Sequence, residues 1–163
     1  MLTVLEEKLA EAHGLAMAAT SVVLEVEDRV ADPELLADVA AIVREAEATR
    51  ARCLELERSY GDALATELLA HANLTHEHVA DLTAAWFVAG TDPLSAWGFL
   101  VMAEAGELAA WSVVAELAAR SGRTEVGELA AWALPLHEGH LATALSGAVR
   151  LAASFHPAAP RWG

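Results

Sequence analysis

The chain has little that forms cross-links, strands or a basic surface. It holds one cysteine, one tyrosine, three phenylalanines and ten lysines and arginines in 163 residues. A single cysteine, Cys53, excludes an internal disulfide and leaves a reducing cytoplasm as the default compartment. Few aromatics, with a hydrophobic content of 55% that is largely alanine, suit helices rather than strands. The basic residues face 24 acidic ones, for a net charge of −14. That balance argues against a nucleic-acid partner, which needs a basic face, and favours the attraction of cations.

Other absences narrow the classes further. The opening "MLTVLEEKLAEAH" carries acids where an export signal has positive charge followed by an apolar stretch. Charge-free runs such as "HGLAMAATSVVL" and "PLSAWGFLVMA" fall short of the ~20 residues of a membrane span. The expectation is a soluble cytoplasmic protein with no membrane partner. There is no glycine-rich phosphate loop and no nucleophile elbow, and no serine is singled out near a base.

What is present is helical periodicity. A first helix is expected over residues 2–30, with Leu5, Leu9, Ala12, Ala16, Ala19, Val23, Val26 and Val30 on one stripe. "ADPE" ends it and starts a second over residues 33–60, with Asp32 as cap and Pro33 in the first turn. The second stripe, Leu35, Val39, Ile42, Ala46, Thr49, Cys53, Leu56 and Tyr60, alternates by four and three, the spacing of a bundle seam. Residues 62–92 read as a connection with two short helices split around "ANLTHEH". A long helix follows over residues 93–120, then a turn with Gly122 as C-cap and Thr124 as N-cap. The last helix covers residues 125–155. The expected fold is all-α: a four-helix bundle over residues 1–156, with a long crossover containing short helices. Residues 157–163 form a proline-containing tail with Trp162.

Polar residues stand where this bundle needs apolar ones. Between Pro93 and Ala115 the charged residues are Glu104 and Glu107, surrounded at helical spacing by Trp97, Leu100, Val101, Leu108, Trp111 and Val114. Buried carboxylates must be paired, protonated or bound to a cation. In the last helix, His137 and His140 fall in the middle of the stripe Val126, Leu129, Ala133, Ala144, Ala148 and Leu151. Counting outward from Gly122–Arg123, Glu104 is level with His140, and Glu107 with His137. His13 adds a weaker element at the edge of the first stripe, and Glu45 and Glu47 flank the second seam. Carboxylates and imidazoles spaced i, i+3 on facing helices make a metal site in a bundle core, suited to iron, manganese or zinc. Pro135, which removes the hydrogen bond to the Ala131 carbonyl, would kink the last helix beside it. The alternative is a metal-free polar network in which the glutamates bond the histidines. His71, His76 and His78 read as solvated.

The hairpin "EAGELAAWSVVAELAARSGRTEVGELAAWALPLHEGHLATAL" resembles the second half of ferritin-like proteins, especially the YciE/YciF-type and related bacterial four-helix proteins. Glu104 and Glu107 with Trp111 match that family's Glu-x-x-Glu-x-x-x-aromatic helix. "HEGH" falls where the family carries Glu-x-x-His, and His13 lies near the single ligand position of its first helix. The resemblance implies a metal site of Glu104, Glu107, His137, His140 and His13 holding iron or manganese, with oxidase or peroxide-handling chemistry. His137 stands where the family has a glutamate, and the second helix lacks a Glu-x-x-His. A mononuclear, an asymmetric dinuclear and a vestigial site therefore all stay open. Two other functions are carried forward. One is a non-enzymatic interaction module that forms a homo-oligomer through its apolar faces. The other is a pocket for an organic ligand or haem lined by Trp97, Trp111 and Trp132.

Overall fold

Each helix begins where the local chemistry can satisfy its first amides. In the computed structural model, which describes residues 1–158, α1 (Val4–Glu27) is opened by a capping box. Thr3 Oγ1 accepts from the Glu6 amide and Glu6 Oε2 accepts from the Thr3 amide at 2.7 Å. α2 (Pro33–Arg58) is capped by Asp32 and α4 (Pro93–Ser121) by Asp92, each with proline in the first turn. α3 (Asp62–Trp86) lies between them. α4 ends at Gly122, whose φ of 70° is the left-handed conformation that glycine adopts without strain. α5 (Thr124–Ala153) starts directly after Arg123, so Thr124 is its first residue and not its cap.

The fold is all-α, as expected. The expected crossover differs, because α3 is one continuous helix and not two short ones. "ANLTHEH" has neither proline nor glycine to stop a helix, and Thr75 bonds back to the His71 carbonyl as helical threonines do. His71 and His76 are half-buried on this helix and His78 is exposed. Residues 159–163, which include Trp162, lie outside the described residues.

Pairwise packing runs α1–α2–α5–α4 and back to α1, with α3 lying along α1 and more lightly against α2. The interior divides into two apolar clusters. One gathers Leu5, Leu9, Cys53, Trp111, Val114, Val126 and Leu129 near the α4–α5 turn. The other gathers Val22, Val26, Leu35, Val39, Ile42, Trp97 and Leu100 toward the opposite end. Residues 13–19, 45–49, 104–107 and 137–140 fall between them along the four helices, so any polar layer there is walled by hydrophobic side chains on both sides. Trp97 ties α4 to α5 by donating its indole N–H to the Ala144 carbonyl at 2.6 Å. By length and composition α1 and α4 are each apolar enough to cross a membrane, a test that the core helix of a soluble protein also passes. α1 is mostly buried among the other helices, whereas α4 leaves much of its surface free.

Two glycines are used for close approach. A Cβ at Gly14 would lie 2.4 Å from the Ala72 carbonyl oxygen, and one at Gly147 would lie 2.4 Å from the Trp97 ring. At Gly106 a Cβ meets nothing within 4 Å. Ala is the better helix former by ~0.5–1 kcal/mol, so Gly106→Ala is expected to stabilise by about that amount. Gly14→Ala is expected instead to destabilise by roughly 1–3 kcal/mol, because α1 must move off the α3 backbone. Urea unfolding of the two variants against wild type checks both signs.

Candidate metal centre

α4 and α5 run antiparallel from the Gly122 turn, which sets their residues level in the order the sequence predicts. Glu104 Oε2 lies 3.2 Å from His140 Nδ1 and 3.7 Å from His137 Nδ1. Glu107 Oε2 lies 3.4 Å from the same His137 nitrogen. All four side chains are buried. Glu104, His137 and His140 each bring one ligand atom to within 4.8 Å of the others. A single ion with bonds of about 2.0–2.2 Å holds its ligands at most ~4.4 Å apart. The three ligand atoms are thus close to the spacing that one ion requires.

The two imidazoles have different surroundings. His140 Nε2 is 2.5 Å from Glu45 Oε2 on α2. In the neutral ring, an N–H donated to that carboxylate puts the proton on Nε2 and leaves Nδ1 as the unprotonated nitrogen facing the cluster. This is how a carboxylate behind a metal-binding histidine sets its tautomer. His137 stacks on Trp111 with centroids 6.4 Å apart and meets His140 edge-on at 5.3 Å. Among the described residues, Glu104 Oε2, Glu107 Oε2, both His137 nitrogens and His140 Nδ1 are buried without a hydrogen-bond partner. The contacts of 3.2–3.7 Å between them are close but are not aligned as hydrogen bonds. Buried polar atoms left unmatched cost ~1–3 kcal/mol each, so a cluster of them is a place where the fold retains unfavourable desolvation.

His13 is placed elsewhere. Its Nδ1 lies 2.9 and 3.0 Å from the two carboxylate oxygens of Glu57 on α2, and both side chains are 1% exposed. The pair is satisfied within itself and does not join the Glu104–His137–His140 set. Glu57 and Glu45, both on α2, are partners that the apolar stripe of that helix does not reveal. The second seam continues Thr49, Cys53, Glu57, a step of four where Leu56 was expected, and Glu45 lies one turn before Thr49 on the same face. Pro135 lies on the exposed side of α5, as does Ala131, whose carbonyl it leaves without a helical donor; the helix continues through both. Compared with family models, curated proteins and solved structures, the chain matches none.

Protonation follows from burial and proximity. Burial, and then the neighbouring Glu104, push the Glu107 carboxyl well above the usual range. Glu104 is also penalised by burial, but the facing His137 and His140 rings outweigh this and hold it below its ordinary value. Burial likewise works against an imidazolium at His140, yet Glu104 and Glu45 outweigh it and raise the ring. Burial pushes the Cys53 thiol far up, leaving a small apolar side chain and not a nucleophile.

In metal-free protein, the raised Glu107 and His140 contribute stability that is complete below their unfolded values, ~4.3 and ~6.5. That stability is lost as pH rises through their raised folded values. The depressed Glu104 contributes above ~4.3 and loses its contribution as pH falls through its lowered value. The melting temperature of metal-free protein is therefore expected to fall as pH rises above ~6.5, and Glu107→Gln to flatten part of that fall. Calorimetric melts across this range check it. His13→Ala strands Glu57 in the core and is expected to cost about 3–5 kcal/mol in urea unfolding. Metal content per folded chain should stay unchanged in that variant.

Proposed function

We propose that this chain is a ferritin-like metalloprotein. Glu104, His137 and His140 would hold iron or manganese, with Glu107 beside them as a further carboxylate. The observation that carries this reading is the set of buried donor atoms facing one another without hydrogen bonds, above all His140 Nδ1 opposite Glu104 Oε2. One or two carboxylate oxygens with two imidazole nitrogens form a donor set for iron, manganese or zinc. When bound, iron or manganese would supply redox chemistry of oxidase or peroxide-handling type. The chain's own contribution is to exclude water through the two apolar clusters and to orient His140 through Glu45. The acidic surface, at net charge −14, favours cation arrival. Exposed Met102 and Val113 on α4 with Leu145 and Val149 on α5 support a homo-oligomer.

A second reading is a metal-free interaction module. What favours it is the tight His140–Glu45 contact and the self-contained His13–Glu57 pair, which need no ion. Elemental analysis separates the two on untagged protein, alongside the His137→Ala/His140→Ala double variant. The metalloprotein reading expects stoichiometric iron or manganese that is lost in a still-folded variant. Wild-type protein that purifies without metal and takes up no added iron, manganese or zinc would overturn it and leave the interaction module.

A further inference from the structure

Glu107 borders more than the histidine cluster. A cavity of about 200 Å³ lies where α3 diverges from α4 over the face of α1, and Glu107 is among its lining residues. The other walls are apolar: Leu15 and Val22 from α1, Val79 and Leu82 from α3, Phe99 and Met102 from α4. Half-exposed Met102 and Leu82 stand at its mouth with Gly106. The space is thus hydrophobic along its length and has a single ionisable lining residue, Glu107.

Water fits such a place poorly, since a buried water needs two or more polar partners. We propose that this cavity binds a small neutral amphiphile, an unbranched chain of roughly six to eight carbons ending in one alcohol or carbonyl oxygen that meets Glu107. The length follows from volume, because about 200 Å³ accommodates roughly seven to nine groups the size of methylene or oxygen, at somewhat under ~30 Å³ each. Neutrality follows from the chemistry of the inner end. An anionic head would be brought beside two carboxylates, Glu104 and Glu107, and a cationic head would lose its hydration in an apolar passage. The occupant's oxygen would then sit one side chain away from His137, with Glu107 between them. The cavity exists independently of any metal, so its test uses metal-stripped full-length protein and does not stand or fall with the metal reading.

The probes are 1-octanol and 2-octanone, titrated calorimetrically, with octanoate and octylamine as charged controls. Saturable one-to-one binding of the neutral probes is expected, with both charged controls at least about tenfold weaker. Shortening the alcohol should weaken binding by about fourfold per methylene, the factor that ~0.8 kcal/mol per buried CH₂ corresponds to. Gly106→Phe, at a position where a Cβ meets open space, places a ring at the mouth and is expected to weaken binding about tenfold or more. A readout that needs no variant comes from methyl-labelled methionine. The chain has three methionines, and the Met102 resonance should shift saturably with 1-octanol while Met1 stays still. The assignment is overturned by no saturable binding, by an unmoved Met102 methyl, by Gly106→Phe protein that binds as wild type, or by a charged control that binds as tightly as the alcohol.

Discussion

The structure depends on a desolvated carboxylate, Glu104, held between two histidines of the facing helix. The two apolar clusters above and below it give Glu104 Oε2 no hydrogen bond. The nearest compensations are His140 at 3.2 Å and His137 at 3.7 Å. Neither is aligned as a hydrogen bond, so the layer is well placed for an ion and poorly satisfied as a protein-only network. The rest follows from keeping this layer dry and in register. The Gly122 turn makes α4 and α5 antiparallel, Trp97 fixes α5 through the Ala144 carbonyl, and Trp111 stacks on His137. Glu45 reaches in from α2 to set the orientation of His140.

The two polar contacts in the interior play different parts. His13 and Glu57 saturate each other at 2.9–3.0 Å and behave as a structural pair that joins α1 to α2. The α4–α5 cluster instead holds several buried polar atoms, on Glu104, Glu107, His137 and His140, without a hydrogen-bond partner among the described residues. Placing the pair on one side of the bundle and the frustrated cluster on the other is consistent with chemistry confined to α4 and α5. Glu107 is the hinge of that arrangement. It lies 3.4 Å from His137 and also lines the apolar cavity between α1, α3 and α4.

Much of this was legible in the sequence because it is periodic. Apolar spacing of three and four defined four of the five helices, and equal distances from Gly122 paired Glu104 with His140 and Glu107 with His137. The rest is not periodic. α3 was divided because "ANLTHEH" is polar, yet polarity alone does not break a helix on a surface. His13 was grouped with the cluster because its partner was hidden: Glu57 sits one residue past an expected leucine, and a single charged residue near a helix end ordinarily faces solvent. The contact of Gly14 with the Ala72 carbonyl is likewise beyond a sequence reading, since it is set by how α3 lies along α1 and not by either helix alone. Glu45 is half-exposed along its length and reveals its role only through where its carboxylate ends.

The most direct test of the central claim is an anomalous-scattering map of crystals grown with manganese(II) and recorded at the manganese edge. The account predicts a peak bounded by Glu104 Oε2, a His137 nitrogen and His140 Nδ1 at bond lengths of about 2.0–2.3 Å, with Glu45 still on His140 Nε2. A map with no peak there, and with His140 rotated to donate a hydrogen bond to Glu104, would contradict it and make the layer a proton-bridged structural network.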